Sequence, residues 1–248
     1  MYGRRSHGGG GFQGLTPMVK RLIIANAVVF LAQQFSPGAT NLGVIRCSDF
    51  FDKGYVWQPF TYMWLHADMM HIFFNMFALW MFGGQLEQIW GSRRFLRFYL
   101  TCGMGAGVVI LLWNSLSPGV WGIPTLGASG AVYGILTAFS LMWPDRTIML
   151  LFPPIPIKAI WFIPLLFVLQ AAFGGGNVSN AGHLGGVLVA GIILRRQLRE
   201  YLGTAFSLGG LRYRWRRWRM RGRLRAVRRE EWERKRKIDK DDDRPTYH

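Results

Sequence analysis

Charge is scarce in this sequence. Only 17% of its 248 residues are charged and half are hydrophobic, whereas soluble globular chains carry about a quarter charged residues. A soluble globular domain is thereby excluded. Cysteine is nearly absent: Cys47 and Cys102 cannot make a disulfide framework, and Cys102 lies inside an apolar run, so cysteine usage leaves the redox compartment open. Between Leu22 and Leu194 there are about a dozen charges, clustered in short connecting segments rather than spread along periodic faces, and no acidic side chain falls within an apolar run. That removes the intramembrane carboxylates that ion-coupled transport uses, and the runs show no inverted-repeat symmetry either.

What is present is a series of apolar stretches, rich in aromatics, with basic residues crowded at the two ends. The runs cover 22–35, 69–86, 93–113, 125–143, 157–173 and 178–195. The five runs after the first are each near the roughly 20 residues a helix needs to cross a bilayer; of these 157–173 is short and is expected to bend at Pro164. Six spans follow, an all-α membrane protein. Of the 30 Lys and Arg, 28 fall in the N-terminal arm, after spans two and four, and in the tail, while Arg46 and Lys53 alone fall on the opposite side. The positive-inside rule then puts both termini in the cytoplasm. A bacterial inner membrane is the expected location. A cleaved signal peptide is the rival reading of the first run, but no small-x-small cleavage site follows it. The outer segment 36–66, with Trp57, Phe60, Tyr62 and Trp64 among few charges, is expected to lie in the membrane interface.

Polar residues inside spans are costly and mark function. Span two carries His71 and Asn75, span four Ser129 and span six His183. These spans all run from outside to inside, so the four side chains are expected at one depth, in the outer part of the membrane. Gly130, Gly134 and Ala138 in span four, and Gly182, Gly186 and Ala190 in span six, repeat at spacing four and make small-residue stripes that allow close backbone approach. Packing one stripe on the other would bring Ser129 towards His183, where a neutral imidazole can take the hydroxyl proton and later return it to a leaving group. Tyr133, four residues after Ser129, is expected to pack on His183 and hold its orientation, since the spans offer no acidic residue for that task. His71 and Asn75 share a helix face and, with the Ser129 backbone N–H at the Gly127-Ala128-Ser129-Gly130 turn, could donate to an oxyanion.

The succession His66-x4-His71-x3-Asn75, Glu87-x3-Gly91-Ser92, Gly127-Ala128-Ser129-Gly130 and Gly182-His183-x2-Gly186 resembles the rhomboid intramembrane serine proteases over about residues 55–195. The resemblance implies a six-helix rhomboid-like bundle that cleaves single-pass membrane proteins in or near their membrane segment with a Ser/His dyad, without cofactor or metal. It makes Ser129 the nucleophile, His183 the base, His71 and Asn75 the oxyanion donors, and His66 a structural residue or one bordering the site. Two positions depart from the family pattern: Gln58 follows Trp57 where an arginine is common, and Ala190 replaces a glycine of span six. Both bear on loop anchoring and packing.

Three rival functions fit the residues less well. A metal site could use His66, His71 and His183, but five residues separate the first two, placing them on different faces of a helix, and no carboxylate or cysteine completes the set. A non-proteolytic escort protein would usually lack the serine or the histidine, and a transporter is disfavoured as above. The expected organisation is a disordered Gly-rich arm over 1–17, the six-span domain over 18–198 and a basic cytoplasmic tail over 199–248, helical or disordered. That tail interleaves Trp215, Trp218 and Trp232 with arginines. It suits anionic lipid better than nucleic acid, because a tail tethered at the membrane meets lipid first; a solvated helix with pairs such as Glu230 and Arg234 is the plain alternative.

Overall fold

A computed structural model describes residues 15–150, 154–173, 180–206 and 232. The expected arm and nearly all of the tail beyond 206 lie outside these residues. The chain divides into two units, Met1–Arg195 and Arg196–His248. The first holds nearly all the described elements. α1 (Pro17–Phe35) starts on a proline, whose fixed φ suits a first helical position, and α2 (Pro37–Gly43) follows directly. The segment after α2 is ordered by short pieces: a π-helical turn at Ser48–Asp52, α3 (Gln58–Thr61) and a 3-10 turn at Tyr62–Trp64. α4 (Met69–Ala78), a π turn at Leu79–Gly83 and α5 (Gly84–Trp90) are contiguous. Gly91 then takes φ 77°, a left-handed value that glycine adopts freely, and turns the chain into α6 (Ser92–Ser115).

α7 (Ser129–Met142) is buried at every position from Gly130 to Leu141. A short antiparallel hairpin, β1 (Thr147–Met149) with β2 (Pro156–Lys158), pairs Ile148 with Ile157. A 3-10 turn at Ala159–Trp161 leads into α8 (Phe162–Phe173), and α9 (Asn180–Ile193) packs on both α6 and α7. Pro164 falls in the first turn of α8, two residues after the change from 3-10 to α-helix at Phe162. In the second unit α10 (Arg195–Phe206) carries an exposed Arg196–Glu200 pair at 3.0 Å.

The helices are shorter than the apolar runs suggested. α1 and α6 are each long and apolar enough to cross a membrane, while the helices at 129–142, 159–172 and 180–193 are apolar but shorter. Fourteen residues of α-helix extend about 21 Å, less than a hydrocarbon core of about 30 Å. The missing length lies in non-helical chain: residues 125–128 precede α7, with Thr125 pairing to Ile45 in an isolated bridge, and the hairpin takes the residues before α8. Apolar side chains face outward, Leu31 and Leu112 each 60% exposed and Ile192 67%, whereas Asn26, His66, Asn75 and Glu87 are buried. That inversion suits a lipid environment.

Glu87 closes the bundle at one end. Its carboxylate accepts the α1 backbone N–H groups of Met18 at 2.8 Å and Val19 at 3.0 Å, the Ser92 hydroxyl at 2.6 Å and the Thr16 hydroxyl. An anion thus caps the positive end of α1 across nearly seventy residues of chain. At the other end Gln58, wholly buried, accepts the Arg46 backbone N–H at 3.2 Å, and Trp57 donates to the Leu42 carbonyl at 3.0 Å. The Gln58 side chain therefore anchors the segment between α1 and α4 itself.

Candidate active site

Three helices meet through glycine. A Cβ on Gly186 of α9 would lie 2.0 Å from the Gly130 carbonyl oxygen of α7, and one on Gly130 would lie 3.4 Å from the Gly182 carbonyl oxygen. Gly134 is equally tight against α6, where its Cβ would fall 2.6 Å from Cys102 Cβ. The expected stripes therefore do face one another, with α6 packed against them as well.

This contact sets Tyr133 of α7 against His183 of α9. Their rings stack with centroids 4.1 Å apart and planes 11° from parallel. Ser129, Gly130, Tyr133, His71, Asn75 and His183 line one cavity of about 740 Å³. Ser129 heads α7, upstream of the first intrahelical bond from Val132 N–H to the Ala128 carbonyl at 3.0 Å, so its own N–H sits among the orphan donors of the helix start.

Gly127 links serine to the histidine of α4. Its φ is 128°, and a Cβ there would lie 2.7 Å from His71 Nε2 and 3.8 Å from Ser129 Oγ. No side chain could be added without displacing that imidazole. His71 Nδ1 accepts the Ala67 backbone N–H at 3.4 Å, which leaves the ring proton on Nε2, the atom facing the Gly127 turn. Asp68 caps α4 by accepting the His71 N–H at 2.8 Å. Asn75 spends one amide N–H on the His71 carbonyl at 2.9 Å and keeps a second donor. His66 precedes the helix rather than lying on it, is 2% exposed, and places its ring 5.1 Å from that of His71. The two histidines therefore do not lie on different faces of one helix, as their spacing suggested, but touch. Among the described residues no cluster of three or more His, Cys, Asp or Glu forms around them.

Sequence reasoning missed Gln170. It is the sole strongly polar residue of α8, FIPLLFVLQAAF, and a polar residue within an apolar run was signal enough. Its Oε1 lies 2.7 Å from His183 Nδ1 and 3.4 Å from the Tyr133 hydroxyl, and its Nε2 meets Asn180 Oδ1. Tyr133 thus supplies a stacking surface, and an amide meets the Nδ1 edge of the His183 ring.

The Rhomboid domain family matches residues 53–199. The chain belongs to the rhomboid family. Among its relatives, the Rhomboid protease GluP of Bacillus subtilis is 28% identical over 220 residues, 82% of this chain and 41% of that protein. RHOMBOID-like protein 12, mitochondrial, of Arabidopsis thaliana is 32% identical, with 74% of this chain and 60% of the relative aligned. Rhomboid protein 1, mitochondrial, of Saccharomyces cerevisiae is 34% identical over half of this chain and 37% of its own. The alignments thus take in less than two thirds of each of these relatives. Rhomboids are membrane-embedded, but with mitochondrial proteins among these relatives, the expectation of a bacterial inner membrane gains no support.

Proposed function

We propose that this rhomboid is an intramembrane serine endopeptidase acting on single-pass membrane proteins. The observation that carries the reading is the convergence of Ser129, the Tyr133–His183 stack and His71 on one cavity. In the proposed reaction Ser129 Oγ attacks the scissile carbonyl carbon while His183 Nε2 takes the hydroxyl proton. The resulting oxyanion is met by the Ser129 N–H, His71 Nε2–H and the remaining Asn75 N–H, donors held in place before charge develops. Collapse breaks the C–N bond, and His183 gives its proton to the leaving amine. A water molecule, deprotonated by His183, then bonds to the acyl carbon, the C–Oγ bond breaks, and His183 returns the proton to Ser129 Oγ as the carboxylic acid leaves.

Six spans with both termini cytoplasmic remain the proposed topology, supported by the 28 to 2 division of basic residues. The contiguous helical stretch from Met69 to Trp90 suits the second span. Anionic lipid is the proposed partner of the basic tail. The competing reading is a rhomboid that binds membrane proteins without cutting them. Purified wild type and Ser129→Ala decide between them: wild type should react with a fluorophosphonate and cut a single-pass substrate, and Ser129→Ala should do neither. A wild type that binds substrate yet never cuts or labels would establish the escort reading instead.

A further inference from the structure

We propose that Gln170 is the positioning residue that fixes the tautomer and orientation of the general base; the inference rests on the protease reading above. A histidine can deprotonate serine through Nε2 only when its proton resides on Nδ1, and something must hold it there. The 2.7 Å approach of Gln170 Oε1 to His183 Nδ1 does so, because a carbonyl oxygen can only accept.

The surrounding contacts fix which way the amide faces. Gln170 Nε2 meets Asn180 Oδ1, an acceptor, so the amide nitrogen is already committed and Oε1 must face the histidine. The Tyr133 hydroxyl, at 3.4 Å, donates to the same oxygen. Gln170 therefore joins three elements: α8 through its own backbone, α7 through Tyr133, and α9 at both Asn180 and His183. The Tyr133 ring constrains the imidazole plane by stacking, and Gln170 constrains rotation within that plane. Stacking alone leaves the ring free to exchange its two nitrogens. The hydrogen bond removes that freedom. When His183 takes the serine proton, Oε1 also accepts from the imidazolium, a charge-assisted bond stronger than the neutral one. An uncharged amide can do this where no carboxylate is available and a buried charge would be costly.

The test compares full-length wild type, Gln170→Met, which keeps the volume and removes the acceptor, and Gln170→Glu, which can accept but not donate. For Gln170→Met, kcat on a single-pass substrate should fall roughly 10- to 100-fold with KM within about twofold, less than the ~10²–10⁴ a general base supplies in full. Fluorophosphonate labelling should slow in proportion, and melting temperature should stay close to wild type. The ¹⁵N shifts of His183, assigned by difference from His183→Ala, should move from the Nδ1–H form to an average of both tautomers. Gln170→Glu should keep kcat within about fivefold of wild type, Asn180 turning its amide to donate. Wild-type kcat in Gln170→Met overturns the inference. So does a loss matched by a lower melting temperature and not rescued in Gln170→Glu, which would make Gln170 a packing residue. If Gln170→Met does not fold, Gln170→Glu decides alone, and a loss beyond 100-fold there overturns the proposal. Failure of wild type itself to cut or label would instead sink the protease reading.

Discussion

Ser129 and His183 belong to different helices, and in the proposed mechanism neither acts without the other, so their removal should not be additive. Ser129→Ala and His183→Ala should each abolish cleavage, and the double variant should be no worse than either, as expected of groups acting as a unit. Single-turnover cleavage by the three purified variants measures this, and a double variant markedly slower than both singles would separate the pair. Cleavage should also fall as acid protonates His183, since an imidazolium cannot accept the serine proton. Asn75→Ala should leave activity reduced about 100-fold, the scale of one oxyanion donor. It removes one donor among several, and half of the Asn75 amide is already engaged by the His71 carbonyl.

Helix contacts set where these residues stand, and two of them make separable predictions. The Gly186 position leaves no room: a Cβ 2.0 Å from the Gly130 carbonyl oxygen can be relieved only by moving α9 off α7. Gly186→Ala should therefore cost about 1–3 kcal/mol or more and lower activity with it, since the displaced helix carries His183; melting temperature and kcat should fall together. In the segment between α1 and α4, Asp49 is nearly enclosed and accepts from Lys53 Nζ at 2.8 Å and Arg46 at 3.1 Å. The Lys53 ammonium holds its carboxyl below the usual range against the cost of burial, with Arg46 adding to the effect. A depressed carboxylate contributes stability that is complete above its ordinary value, about 3.9, and is lost as pH falls through its lower folded value. Hydrogen-exchange protection of residues 46–55, taken relative to the intrinsic rate at each pH, should therefore be high at neutral pH and fall in strong acid, and Asp49→Asn should show the lower protection already at neutral pH.

For the molecule as a whole the orientation in the membrane is testable because both native cysteines are buried. Cys47 donates to the Leu111 carbonyl at 3.7 Å and Cys102 lies in the α6 packing surface, so neither thiol offers a reactive handle. Cysteines introduced at exposed Ser117 and Arg93 serve instead. An impermeant thiol reagent on intact cells should modify Ser117→Cys and spare Arg93→Cys; the reverse pattern would invert the topology. A peptide covering 205–240 should bind anionic vesicles and release as salt shortens the reach of its charges. Tight binding to RNA with none to vesicles would point to a nucleic-acid tail.

Hydropathy and charge placement were enough to specify a helical membrane protein, because apolar runs and basic ends act locally and need no partner to be read. Spacing was enough to align the glycine stripes, since a period of four marks one face of any helix. The same local logic placed Tyr133 beside His183. It could not give helix lengths: α7 stops short because Thr125 finds a backbone partner at Ile45, far away in sequence. Nor could it show that His66 and His71 touch, because whether His66 continues the helix depends on Asp68 capping α4 after it. Gln170 was visible as a lone polar residue, but its partner was not. A side-chain amide acquires its role from what lies 2.7 Å away, and only the packing of α8 against α7 and α9 brings His183 to that distance.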